Sequence, residues 1–257
     1  MTFDSLPLWG VFLATVALAL LSLEVGFRFG RRRQSQPGGK PESPGAMVGA
    51  TMGLLAFMLA FTFNNASGRY DARKGLVVDE ANAIGTAWLR AGLLAEPYCT
   101  QARSYLREYT DVRAAVAADG QAEIDRALLQ TEALQDGLWA VAMEIARKDA
   151  ASHPNGLFIQ SLNEVFDLHL MRVTAGLRSR IPPTIWATLY ALAIVSMAMV
   201  GYQVGLGGSR HFYIQLALAV SFSVVLYLIA DLDRPQKGLI NVSQQAMIEL
   251  RDKLDSR

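Results

Sequence analysis

Residues 45–90 read GAMVGATMGLLAFMLAFTFNNASGRYDARKGLVVDEANAIGTAWLR. From Ala46 to Ser67 there is no charged residue. That run is long enough to cross a bilayer as a helix at about 1.5 Å per residue. From Arg69 onward charge returns, no proline intervenes, and apolar residues keep a helical period. The stretch predicts one long helix that leaves the membrane and enters a helical region outside it. Within the apolar part, Gly45, Gly49 and Gly53 recur every fourth residue, and small residues at that spacing let a second helix approach closely. Leu54, Phe57, Phe61 and Asn65 share a different, bulky face. That face is expected either to touch lipid or to line a pore, and periodicity alone favours lipid.

Outward from this helix, the apolar residues gather in four blocks near the two ends of the 257-residue chain, and the middle is charged. The expected fold is an all-α membrane protein with four transmembrane helices and a soluble helical bundle inserted between the second and third. The expected divisions are 1–66 (a first helix pair with a Pro/Gly-rich loop at 34–45), 67–183 (the bundle), 184–231 (a second pair) and 232–257 (a C-terminal tail). The first span, Leu6–Phe27, has its arginines after the apolar run rather than before it, unlike a signal peptide. Glu24 and Arg28 stand four apart, a favourable ion-pair spacing. In the middle, helices are expected over Arg69–Leu94, from Pro97 to an Asp119-Gly120 turn, over Gln121–Lys148 and over Leu157–Arg180. Ser152–Gly156 reads as a break. Pro182-Pro183 marks re-entry, because the residue before a proline is biased away from helix. Thr184–Val204 and His211–Ala230 are the last two spans, joined at Gly207-Gly208-Ser209. Val242–Leu254 reads as a short, exposed, amphipathic tail helix.

The net charge of +1 gives no basic excess of the kind nucleic-acid binders carry. One cysteine, Cys99, excludes an intrachain disulfide and a cysteine metal cluster. His153, His169 and His211 are dispersed, and no phosphate-binding, zinc-protease or nucleophile-elbow motif occurs. No enzyme, cofactor or metal is expected. Two charged groups remain. Arg69 and Arg73, one turn apart beyond Asn65, suit either an anion-attracting mouth or a headgroup anchor. Asp231 and Asp233 suit a cation site or, with fewer acids than calcium usually takes, a structural turn. The run Arg31–Arg33 argues for a cytoplasmic first loop, but the bundle side carries nearly as many basic residues near its span ends.

The segments F-x-x-N-N-A-S-G-R-Y-D-A-R (Phe61–Arg73), E-A-N-A-I-G-T-A (Glu80–Ala87) and D-R-P-x-x-G (Asp233–Gly238) resemble the bacterial bestrophin-like membrane proteins. That family stands near the bestrophin anion channels, and the resemblance covers essentially the whole chain. It implies a multi-pass protein of the bacterial inner membrane, a homo-oligomer (pentameric in true bestrophins) that passes inorganic anions such as chloride. The second span would line the pore, with Phe57 and Phe61 as the constriction and Arg69, Tyr70 and Arg73 at its exit. It also implies a cytoplasmic bundle, opposite to the reading from Arg31–Arg33. The other function the sequence admits is a non-conducting membrane scaffold or sensor whose bundle binds a partner or lipid.

Overall fold

The computed structural model describes residues 7–35, 44–115, 121–208, 210, 212–234 and 238–256. Most of the 34–45 loop, Val116, the Asp119-Gly120 turn, Ser209, His211 and residues 235–237 of the D-R-P-x-x-G segment lie outside them. The described residues are helical, without a strand. In chain order the helices are α1 (Leu8–Gln34), α2 (Gly45–Ala91), α3 (Tyr98–Ala115), α4 (Gln121–Lys148), α5 (His153–Val173), α6 (Pro183–Leu206), α7 (Phe212–Asp233) and α8 (Gln245–Asp255). Four stretches are long and apolar enough to cross a membrane: α1, α2, the 153–206 run that contains α6, and α7. The long helix expected from residues 45–90 is one element of 47 residues, about 70 Å at 1.5 Å per residue.

The chain divides into two compact units, and the boundary falls inside α2 at Gly68/Arg69. Unit 1 comprises residues 1–68, 180–234 and 238–240. Its closest helix pairing is α1 on α6, where Gly26 lies against Ala198 and Tyr202, Gly201 against Leu23, and Gly30 meets Gly205. A Cβ on Gly26 would sit 1.9 Å from the Ala198 carbonyl oxygen, and one on Gly201 would sit 2.0 Å from that of Leu23. Backbone meets backbone here, which only glycine permits. Ala19, Leu23, Met197 and Ala219 bring α7 into the same core. Thr15 and Tyr190 share a hydrogen bond of 3.1 Å between α1 and α6.

Unit 2 comprises the described residues of 69–179 and 241–257. Its core runs from Ala81, Ile84 and Trp88 of α2 through Leu106 and Tyr109 of α3, Leu138 and Ile145 of α4, and Phe158, Leu162 and Val165 of α5. The tail helix differs from its expected exposure. Met247 and Leu254 of α8 are buried in this core, and Arg107 of α3 donates to the Leu254 carbonyl at 2.8 Å and pairs with Asp255 at 2.9 Å.

Two helix limits also differ. α5 begins at His153, earlier than the expected break allows, because the Ser152 side chain caps it by accepting from the Asn155 amide. Pro154 is tolerated there, since a first-turn residue needs no amide donor. α1 continues through Arg31–Arg33 to Gln34, where basic side chains complement the negative end of the helix dipole. At the other proline pair the sequence expectation matches: α5 widens into a π-helical turn over Thr174–Arg178, the chain leaves helix at Ser179, and α6 starts at Pro183.

Candidate functional site

The apolar part of α2 has three distinct sides. Val48, Leu55, Leu59, Thr62 and Ala66 are buried within unit 1. Ser196 of α6 donates to the Thr51 carbonyl at 3.2 Å on this side. Thr62 returns its own hydroxyl to the Met58 carbonyl at 2.8 Å, so a polar group is satisfied inside the helix. The second side carries the small residues. A Cβ on Gly49 or Gly53 would meet nothing within 4 Å. Farther along, Ala56, Ala60 and Phe63 form one wall of an apolar groove whose other wall is Ser221, Phe222, Val225 and Leu228 of α7. The third side holds Leu54, Phe57, Phe61 and Asn65, all exposed, with Phe57 at 65% and Phe61 at 59%.

The other expected site residues fall in different settings. Arg69 is half-buried and Arg73 is only 6% exposed, both in unit 2, and both are engaged with neighbours. Asp231 is buried, and its two carboxylate oxygens accept from the amides of Leu239 (2.7 Å) and Ile240 (3.1 Å). Gly238 lies so close that a Cβ there would be 2.5 Å from Asp231 Oδ1. Asp233 accepts from the Ile181 amide at 2.9 Å, and Arg180 donates to its carbonyl. These carboxylates tie chain segments of unit 1 together through backbone donors. Among the described residues no three His, Cys, Asp or Glu side chains gather as a metal site.

A well-connected buried polar group lies on the unit 2 part of α2, outside the candidate site residues named from the sequence. Glu80 of α2 is fully buried in unit 2. Its carboxylate accepts from Tyr109 (3.0 Å) and from two donors of Arg113 (3.0 and 3.2 Å), and Arg172 donates to it as well. Arg172 also donates to Gln244, just before α8. His169 Nδ1 stands 3.8 Å away, beyond hydrogen-bonding range. Burial works to raise the Glu80 pKa, but the charges of Arg113 and Arg172 and the hydrogen bonds from Arg113 outweigh it and hold the carboxyl well below the usual range. Burial and the Glu80 charge push the Tyr109 phenol well above its ordinary value. Burial and Arg113 lower Arg172. The arrangement is a multi-helix tie, α2 to α3 to α5 to the start of α8, in which two guanidinium groups share one buried carboxylate. Its signal in the sequence was periodic: Glu80 falls on the stripe of Val77, Ile84 and Trp88, where a charge must be paired.

Taken together, four apolar stretches able to span a membrane and a compact helical unit continuous with the second of them define an all-helical, multi-pass membrane protein. The bestrophin-like domain model matches residues 13–247, and the chain belongs to the bestrophin-like family. Solved structures share the fold. A bacterial bestrophin homologue from Klebsiella pneumoniae superposes with a TM-score of 0.66 at 15% identity, covering 96% of this chain and 96% of that one. A point-mutant form of that homologue gives 0.64 at 17% identity, covering 96% and 98%. A further mutant structure, described only as that of a membrane protein, gives 0.68 at 14% identity, covering 97% of each chain. No curated protein sequence matches the chain.

Proposed function

We propose that the chain assembles around a symmetry axis as an ion channel permeable to inorganic anions such as chloride, with α2 lining the pore and unit 2 outside the membrane. Family membership supports a channel, since the characterised members of the family are anion channels. The observation that carries the reading is the three-sided α2. A helix in a closed ring has three obligations: to its own subunit, to the neighbouring subunit and to the axis. The Leu55–Leu59–Thr62 side meets the first. The open Gly49–Gly53 side, with the groove beside it, suits the second. Leu54, Phe57 and Phe61 are left for the axis, where a ring of large apolar side chains would gate by dewetting. Asn65 would form the polar end of that lining. Arg69 would add positive potential beyond it, and Arg73, being buried, would act through its field rather than by contact.

Planar-bilayer recording of the purified protein tests the reading. An anion current that rises several-fold in Phe57→Ala or Phe61→Ala is the expected result. Absence of current, or a current indifferent to both substitutions, would favour the non-conducting scaffold instead.

A further inference from the structure

The end of unit 1 where α1 finishes holds a group of charges that the proposed pore does not use. The apolar run of α1 stops at Phe27, and Arg28, Arg31, Arg32 and Arg33 occupy its last two turns. These turns are held in place. Gly30 lies against α6 so closely that a Cβ would be 2.2 Å from the Tyr202 carbonyl oxygen, and the Ser35 amide and hydroxyl both return to the Arg31 carbonyl. Arg31, Arg32 and Arg33 are exposed. A fifth arginine, Arg210 between α6 and α7, lies with its guanidinium carbon 5.4 Å from the Phe27 ring centroid. Glu24 is the one carboxylate at this end among the described residues. It is already engaged, by Arg28 at 2.8 Å and by Arg210. Among the described residues, five guanidinium groups thus stand with one carboxylate at this end; Arg33 has a further interaction of its own, and Arg31, Arg32 and Arg33 are exposed in the turns beyond Glu24.

Depth decides what they meet. Leu8–Phe27 rises about 30 Å, the thickness of a hydrocarbon core, so the next 10 Å or so is the headgroup layer. A pinned helix end keeps the arginines at that depth, unlike a flexible basic tail. Guanidinium forks match phosphate oxygens in pairs. We propose that this end of unit 1 is a binding face for the headgroup phosphates of anionic phospholipids. Arg31, Arg32 and Arg33 make the contact, and Arg28 and Arg210, held by Glu24, reinforce the positive field.

The test is a lipid titration of the full-length, delipidated protein in neutral detergent, followed by native mass spectrometry. The probes are phosphatidylglycerol and phosphatidylcholine with identical acyl chains. The wild type is expected to bind phosphatidylglycerol more tightly by a factor on the order of 100. At roughly fivefold per basic residue, the combined substitutions Arg31→Gln, Arg32→Gln and Arg33→Gln should weaken phosphatidylglycerol about 100-fold and leave phosphatidylcholine unchanged. The charge-retaining set Arg31→Lys, Arg32→Lys and Arg33→Lys should keep most of the preference, which separates lost contact from lost folding. Arg126→Gln with Arg147→Gln, on exposed positions of unit 2, should change nothing. Equal binding of the two lipids by the wild type would overturn the proposal, as would a glutamine set that keeps the preference. Full competition by millimolar glycerol phosphate would also overturn it, by assigning the face to soluble phosphate.

Discussion

Two glycine runs in unit 1 have the same spacing and opposite surroundings. Gly26 and Gly30 of α1 close on the backbone of α6, as Gly201 and Gly205 of α6 close on that of α1, with would-be Cβ atoms about 2 Å from facing carbonyls (1.9 Å for Gly26, 2.0 Å for Gly201). Gly49 and Gly53 of α2 face nothing within 4 Å. Small residues at i and i+4 allow close approach but do not say which helix approaches. In the first run the approaching helix is part of the same chain. In the second the described residues offer none, which is why the proposed function assigns that side to a second copy.

The comparison can be broken at several points. The largest effect belongs to a closed site in unit 2 that serves as the yardstick. Glu80→Gln leaves Arg113 and Arg172 without their carboxylate and should cost about 3–5 kcal/mol, read as a fall in thermal melting temperature. The same site fixes a pH dependence. The folded pKa of Glu80 lies below its ordinary value of 4.5, so its stabilisation is present above that pH and fades as the pH falls through the folded value. Melting curves of Glu80→Gln should lack that acid limb. Next is Gly201→Leu, where the obstructing atom is a backbone oxygen that cannot rotate away. A loss of about 3 kcal/mol, the upper end for overpacking, is expected in the same melt. Asp231→Asn turns one of two accepting oxygens into a donor facing an amide, and about 1–3 kcal/mol should follow. Smallest for the single chain is Gly49→Leu, with a change within about 0.5 kcal/mol because the space is open. Its effect should appear in assembly instead, as a shift to monomer in light scattering after size exclusion. An oligomer unaffected by Gly49→Leu and Gly53→Leu would erase the distinction between the two runs.

Much of this was legible in the sequence, and the parts that were not share a cause. The uncharged run from Ala46 to Ser67 and the helical period read on to Leu94 gave α2 as one helix, whose observed end at Ala91 falls three residues short of that reading. Pro182-Pro183 gave the start of α6 because proline acts locally. Gly201 and Gly205 pack on α1 residues that lie far away in sequence, and no local period names a partner. Glu80 was hidden for the same reason: its pairing with Arg113 and Arg172 needs three helices brought together. The tail helix looked exposed because an 11-residue amphipathic segment does not reveal whether a core lies beneath it. The three sides of α2 were only partly readable. The bulky side and the small side could be drawn on a helical wheel, but the side that closes on its own chain required the fold.

The measurement that reaches the central claim most directly is thiol modification during bilayer recording. In a Cys99→Ser background, Phe57→Cys and Phe61→Cys place single thiols on the exposed aromatic side, and Leu55→Cys places one on the buried side. If α2 lines an anion pore, a charged, water-soluble methanethiosulfonate should alter the current through the first two within seconds and leave Leu55→Cys untouched. A current unchanged at positions 57 and 61, or modified equally at 55, would contradict the account.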